Sequence, residues 1–223
     1  MRNVARMIPH VVSDEDFNRS IGEREVYEAL EQGLPNDCIV FHSIGWQKRN
    51  QYDNPQWGEA DFTVYLPHYG ILVIEVKAGA IHCRENEIFQ ENRQTHEQKG
   101  IHPLQQAKNT KYAFIERLSR TPATRQIWIQ PAVWFTSVTR KEIHGAFPLN
   151  YHEDMILTRT DLEKPMAALR RVCEFYRMRI KTPSPAIGLA VCRELAPVFH
   201  AIPSASTMAA ENERLFFQMT KQQ

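Results

Sequence analysis

Residues 58–79 read GEADFTVYLPHYGILVIEVKAG, and the way the two halves of this stretch pair decides what the rest of the chain can be. An acidic strand start at Asp61 is followed by a turn and then by an apolar run that ends in Glu75, Val76 and Lys77. A hairpin sets the start of one strand beside the end of the next, so Asp61 returns to Glu75 and Lys77. Directly opposed side chains share a face, so Asp61 meets Glu75 only if paired residue numbers sum to 136. That register needs an odd-length connection, such as Pro67-His68-Tyr69 between Leu66 and Gly70. A two-residue turn at His68-Tyr69 sets Val76 opposite Asp61 instead, unless a bulge corrects it. On the second strand Ile71, Val73, Glu75 and Lys77 share one face and Leu72, Ile74 and Val76 the other. Both faces stay apolar until the end, the pattern of a central strand covered on both sides.

Two carboxylates and a lysine at one strand end are the parts that phosphodiester hydrolysis asks for. Asp61 and Glu75 supply hard oxygen ligands of the kind magnesium or manganese takes, and the Val76 carbonyl is a third candidate ligand. Lys77 would orient the attacking water and balance developing charge. Glu59, two residues before Asp61, is expected on the same strand face as a reserve ligand. The bland alternative is a salt-bridge cluster of Asp61, Glu75 and Lys77. It is disfavoured because the strand is apolar on both faces and buried ion pairs seldom repay their desolvation.

Working outward, Ser20 caps a helix expected over 21–34. At about 100° per residue, Glu23 falls in the middle of the apolar stripe of Val26, Tyr27, Leu30 and Leu34, while Glu25 points to solvent. A carboxylate on a buried face must be paired, hydrogen-bonded or metal-bound; alternatively Glu23 serves the helix dipole or a capping box with Ser20. Residues 38–46, CIVFHSIGW, read as a strand. The following QKRNQYDNPQWG reads as a polar loop in which Trp46, Lys48 and Arg49 suit single-stranded or distorted nucleic acid, where bases stack and phosphates need cations; a plain polar loop is the other reading. IHCRENEIFQ is a further hairpin turning at Arg84 to Glu87, and 91–100 a polar loop. A helix is expected from Pro103 to about Ser119, with Gln106 at the edge of its apolar stripe and Gln105 turned away. Residues 127–137 form a long apolar strand, and Pro131 places it at an edge or bends it. Residues 155–163 give a short last strand and then a helix to about Lys181, followed by a second helical piece.

The chain has 223 residues, 43% of them hydrophobic and 24% charged, with a formal net charge of +1. These values fit a folded protein with a substantial core and exclude a disordered one. They give no global attraction to nucleic acid, so phosphate contacts must be local. Cys38, Cys83, Cys173 and Cys192 are scattered without CxxC or close histidines, which argues against zinc. The N-terminus lacks a signal-peptide core and no window approaches a membrane span, so a cytoplasmic protein with reduced thiols and no membrane partner is expected.

An acidic residue at the start of one strand and (D/E)-x-K at the end of the next resembles the PD-(D/E)XK nuclease signature through Asp61, Glu75 and Lys77, with Ala60 where a proline usually stands. GEREVYEAL, GEADFTV, GILVIEVKAG and HPLQQA, in that order over roughly residues 20–140, resemble the NERD, or nuclease-related, domain. The resemblance implies an α/β, restriction-endonuclease-like core with a mixed sheet flanked by helices. It makes Glu23 the family's first-helix glutamate and Gln106 the glutamine of its later helix. It further implies a Mg-dependent nuclease acting on DNA rather than RNA, possible homodimers, and frequent fusion to helicases, in one setting as defence against foreign DNA. A catalytically silent nucleic-acid-binding or scaffolding domain is the alternative. The domain is expected over 1–181, core about 20–160, with a helical extension over 182–223. There FFQMTKQQ is similar to the segment before the first nucleotide-binding motif of superfamily 1 helicases, Gln223 holding the position of the adenine-contacting glutamine.

Overall fold

The connection at the centre of the hairpin is three residues long. In the computed structural model, which describes residues 4–9, 17, 20–49, 52, 54–93 and 95–199, strand β3 (Pro55–Leu66) turns through Pro67-His68-Tyr69 into β4 (Gly70–Lys77). The Tyr69 N–H donates to the Leu66 carbonyl at 3.0 Å. Gly70 has φ 132°, and a Cβ there would lie 2.4 Å from the Trp128 carbonyl oxygen, so only glycine fits the closing position. From Leu66↔Gly70 to Phe62↔Ile74 the paired numbers sum to 136 throughout. The condition that brings Asp61 to Glu75 is therefore met.

β4 is an interior strand. The main sheet runs in the order β1 (Arg6–Ile8), β2 (Ile39–Arg49), β3, β4, β8 (Ile129–Phe135), β9 (Ile156–Thr158). β1–β2, β4–β8 and β8–β9 pair in parallel, while β2–β3 and β3–β4 are antiparallel. Leu72, Ile74 and Val76 pack with Val26 and Leu30 of α1 (Ile21–Gly33) and Leu169 and Val172 of α3 (Pro165–Phe175). Ile71 and Val73 pack on the other side with Ala107 and Phe114 of α2 (Pro103–Leu118) and Val191 and Leu195 of α4 (Pro185–Phe199). This is a mixed sheet with helices on both faces, as the resemblance implies. Between β4 and α2 the chain adds a three-stranded sheet of β5 (Ala80–Arg84), β6 (Glu87–Glu91) and β7 (Gln98–Ile101). Leu104 joins Val133 and Phe135 at the end of β8, whereas Leu118 joins Ile129 at its start. α2 thus runs back along the sheet, with its first turn at the Glu75 end of β4.

Three expectations need correction. Residues 47–49 and 55–58 are not loop: Gln47↔Trp57, Lys48↔Gln56 and Arg49↔Pro55 extend the β2–β3 ladder, because cross-strand pairing outweighs their polarity. Residues 98–101 form β7 rather than loop, paired with β6 through Ile88↔Ile101. Pro131, by contrast, lies where β8 is locally an edge, as expected: it is paired with Val73 of β4 on one side, its carbonyl accepts from the Tyr176 hydroxyl at 3.0 Å, and β9 pairs only with Val133 to Phe135. Its missing donor therefore faces a stretch where no strand is paired. The helix after β9 does not reach Lys181; a 3-10 turn over Arg159–Glu163 precedes α3, which ends at Phe175. Residues 200–223, with Gln223, lie outside the described residues.

Candidate active site

At the end of the β3–β4 ladder, Asp61 Oδ2 accepts the Val76 N–H at 2.7 Å, and Lys77 Nζ lies 2.5 Å from Glu75 Oε1. Glu75 is only 3% exposed. Burial pushes the Asp61 carboxyl well above the ordinary carboxylate range, and the Glu75 charge pushes it further, against the pull of Lys77 and the Val76 N–H. Glu75 is raised as well, first by burial and also by Glu23 and Glu59, while Lys77 holds it down. Four acids and one lysine thus leave a surplus of negative charge around a poorly solvated place.

The β2–β3 ladder is irregular at the same level. His42 pairs with Phe62 and Ile44 with Ala60, but Ser43, at φ 53°, has no paired partner at Asp61. Phe41 and Ile44 both join the α2-side core, as do Tyr65 and Ala60, so the two-residue alternation skips once on each strand. The register is the same on both sides of the skip, so no extra residue is inserted; the left-handed backbone at Ser43 is a local kink that turns side chains relative to the regular pleat. Glu59, the expected reserve ligand, is exposed, and its charge acts on Glu75.

Glu23 reaches the site from α1. Ser20 caps that helix, its Oγ accepting the Glu23 N–H at 3.3 Å. The Glu23 carboxylate does not close a capping box: its Oε2 lies 3.2 Å from His42 Nε2. Glu25 is exposed. His42 is 1% exposed and sits among Phe17, Tyr27 and Phe62, with ring centroids 4.9 to 5.9 Å away. The first turn of α1 comes close to the sheet because residue 22 is glycine: a Cβ there would lie 2.6 Å from Thr136 Oγ1 and 3.2 Å from Ala78 Cβ. Gly22, His42 and Thr136 were not legible as site residues. Their only signal is position, Gly22 just before the inward glutamate and His42 as a polar residue in an apolar strand.

Gln106 is exposed, one helical turn before the buried Thr110, in the part of α2 that lies at the Glu75 end of β4. Trp46 is a correction. It is 6% exposed, its Nε1–H donates to Thr110 Oγ1 at 2.8 Å, and Gly58 packs on its ring. Buried and bonded, it has no face for a base. Lys48 lies over that ring at 5.3 Å and donates to the Asn109 carbonyl at 3.4 Å, while Arg49 is exposed at the outer end of β2. The exposed aromatics of this arm among the described residues are Tyr52, at 74%, and Trp57, at 59%.

Among the described residues no three His, Cys, Asp or Glu side chains form a metal-holding group by themselves. A cation at this place would draw on the Asp61 and Glu75 carboxylates and the Val76 carbonyl, a hard-oxygen set that suits magnesium, with water completing the shell. The surplus charge of the buried carboxylates fits such an ion. The four cysteines are free and buried, and no helix of the described residues is long and apolar enough to cross a membrane.

No curated protein and no solved structure matches the chain. The model of the nuclease-related domain matches residues 18–136, more than half of the 223 residues and the span that holds α1, the β3–β4 hairpin and α2, so the chain belongs to the NERD family of nuclease-related domains.

Proposed function

We propose that this domain is a metal-dependent nuclease that hydrolyses phosphodiester bonds of DNA. The observation that carries the reading is the meeting of Asp61, Glu75 and Lys77 at one strand end, with both carboxyls pushed up by burial and by neighbouring charge. A magnesium or manganese ion bound there supplies a Lewis acid for the phosphate and lowers the pKa of water. The chain's own residues have separable tasks. Asp61 uses Oδ2 to hold the Val76 N–H, which fixes the carboxylate and leaves its second oxygen for a ligand. Lys77, paired with Glu75, offers a cation to an oxyanion or an entering water. His42 holds Glu23 toward the site, and Gln106 borders it from α2. Lys48 and Arg49, on the β2–β3 arm, would meet phosphates outside the centre.

One observation favours a second reading. The Lys77–Glu75 contact neutralises a carboxylate without a metal, as a silent nucleic-acid-binding domain would arrange it. Calorimetry with Mg2+ and Mn2+, together with cleavage of plasmid and single-stranded DNA and of RNA, separates the two. The nuclease reading expects metal binding that Glu75→Gln abolishes and cleavage that Lys77→Ala lowers by at least tenfold, about 1.4 kcal/mol of barrier. Undiminished cleavage by Lys77→Ala would sink the assigned mechanism, and DNA binding without metal binding would support the silent domain. The helicase-like FFQMTKQQ supports a place for this module beside a superfamily 1 helicase, in DNA processing or defence against foreign DNA, and homodimerisation would allow cutting of both strands. The coding sequence beyond Gln223 tests the first of these.

A further inference from the structure

Two arginines from different elements converge on one main-chain oxygen beside the carboxylate centre. Arg93, in the turn after β6, donates from Nη2 to the Ser137 carbonyl at 2.7 Å, and Arg159, the first residue after β9, donates from Nη1 to the same oxygen at 3.3 Å. The two donor nitrogens therefore lie no more than about 6 Å apart, a separation at which like charges repel. The carbonyl they share carries no charge to offset that repulsion. The Glu142 carboxylate meets Arg159 at 3.1 Å, but their side chains are 46% and 47% exposed, and an exposed pair of this kind contributes little. Arg93 is exposed as well.

The sheet fixes where this pair stands. Lys77 of β4 is level with Phe135 of β8, which is level with Thr158 of β9, so Arg159 follows a residue two strand spacings, about 10 Å, from Lys77. Ser137 is tied to the chain leaving β4: the Thr136 N–H donates to the Lys77 carbonyl at 3.1 Å, and the Gly79 N–H donates to Ser137 Oγ at 2.9 Å. Gly79 also brings β6 close, since a Cβ there would lie 2.5 Å from the Glu91 carbonyl oxygen, and Arg93 comes two residues later. From the other side the charge of Arg159 is felt at Glu25 of α1. Both guanidiniums are thus on the rim of the centre and outside it. A strand with one phosphate at Asp61, Glu75 and Lys77 carries others past that rim, because about 10 Å spans about three nucleotides at 3.4 Å of rise.

We propose that Arg93 and Arg159 clamp a backbone phosphate of the strand being cut, within about three nucleotides of the scissile bond. The choice of occupant rests on the nuclease reading. Guanidinium forks match phosphate oxygens in geometry and charge, and a phosphate between the two relieves their repulsion. The Ser137 carbonyl holds both side chains in position before the strand arrives. A clamp on the backbone sets the register of the strand and reads no sequence.

The test has two arms. Fluorescence anisotropy of a labelled single-stranded oligonucleotide in chelator measures binding without chemistry. Arg93→Ala and Arg159→Ala should each weaken it about five- to tenfold and flatten the slope of log K against log salt by about 0.7, the counterion release of one phosphate contact. Arg93→Glu should weaken it further, while Arg120→Ala, at the far end of α2, should bind like the wild type. In Mn2+, the ratio of kcat/KM for the oligonucleotide to that for bis(p-nitrophenyl) phosphate, a diester too short to reach the rim, should fall about tenfold in each rim variant, through KM rather than kcat. No binding by the wild type, rim variants with wild-type affinity and salt slope, or an equal loss in Arg120→Ala would each overturn the clamp. An equal loss on both substrates would overturn it too, making the arginines supports of the centre. If the wild type binds the oligonucleotide but cleaves neither substrate, the nuclease reading fails, and the anisotropy arm still decides whether these arginines hold a strand.

Discussion

Gly22→Ala probes how closely α1 is seated on the carboxylate site. Alanine is the better helix former by about 0.5–1 kcal/mol in a helix interior, and less than that is gained in a first turn, so propensity alone predicts a small stabilisation. The built Cβ, however, lies 2.6 Å from Thr136 Oγ1 and 3.2 Å from Ala78 Cβ, well inside ordinary contact. Relieving such overlap in a packed core costs about 1–3 kcal/mol, leaving a net loss of roughly 1–2 kcal/mol, or about 2–8 °C in melting temperature for a domain of this size. Thr136→Ala removes the nearest obstructing atom, and that hydroxyl has no protein partner. The double variant should therefore be more stable than the sum of the single changes by about 1 kcal/mol, a coupling of the size seen between touching residues. Urea denaturation of the four proteins measures it, and cleavage assays should show Gly22→Ala losing activity as Glu23 is displaced from its place beside His42. Strict additivity, or a stabilised Gly22→Ala protein, would mean that α1 does not approach the sheet at Thr136 and that the placement of Glu23 has been misjudged.

Asp61→Asn should raise stability in metal-free buffer at pH 7 while removing metal binding. The folded state holds the Asp61 proton more tightly than the unfolded chain, so wild-type stability falls as pH rises from the unfolded value of about 4 toward the folded one. The advantage of Asp61→Asn should accordingly shrink toward pH 4; melting curves in chelator across that range would contradict the assignment if the variant were instead less stable at pH 7. Trp46→Phe breaks the bond to Thr110 inside the core and should cost about 1–3 kcal/mol in urea denaturation. Nucleic-acid affinity should not change, and a selective loss of affinity at unchanged stability would restore Trp46 as a binding residue.

The chain declared its hairpin openly because β pairing is local there. A three-residue turn, an apolar strand and a glycine at Gly70 fix the register, and the register alone brings Asp61 to Glu75. The inward direction of Glu23 was equally legible, since the helical period places it among Val26, Tyr27 and Leu30. Its partner was not, because the His42 contact spans 19 positions and depends on how α1 crosses the sheet. Trp46 was misread for a related reason: a tryptophan beside lysine and arginine looks like a stacking platform until the strand continues and the alternation skips at Ser43, which turns the ring onto Thr110. Period-2 reasoning holds along a regular strand and fails across a kink at a left-handed residue, and such a kink at a serine leaves no mark in composition.

That skip also bears on how an acidic centre can exist in this core at all. Asp61 would otherwise stand in the middle of a ladder with Ser43 opposite, its neighbours paired on both sides. Where the Ser43 pairing is lost, the Asp61 carboxylate can instead turn across the strand end and take the Val76 N–H, a main-chain donor that β4 offers just before its last residue. The bond partly repays the burial of Asp61, and Lys77 partly repays that of Glu75, but both carboxyls remain raised. A site optimised for stability alone would have replaced one of these acids. Keeping both beside a single half-buried lysine, with a third acid held by a histidine from another element, makes sense if the centre's full complement of charge includes a cation that arrives from solution.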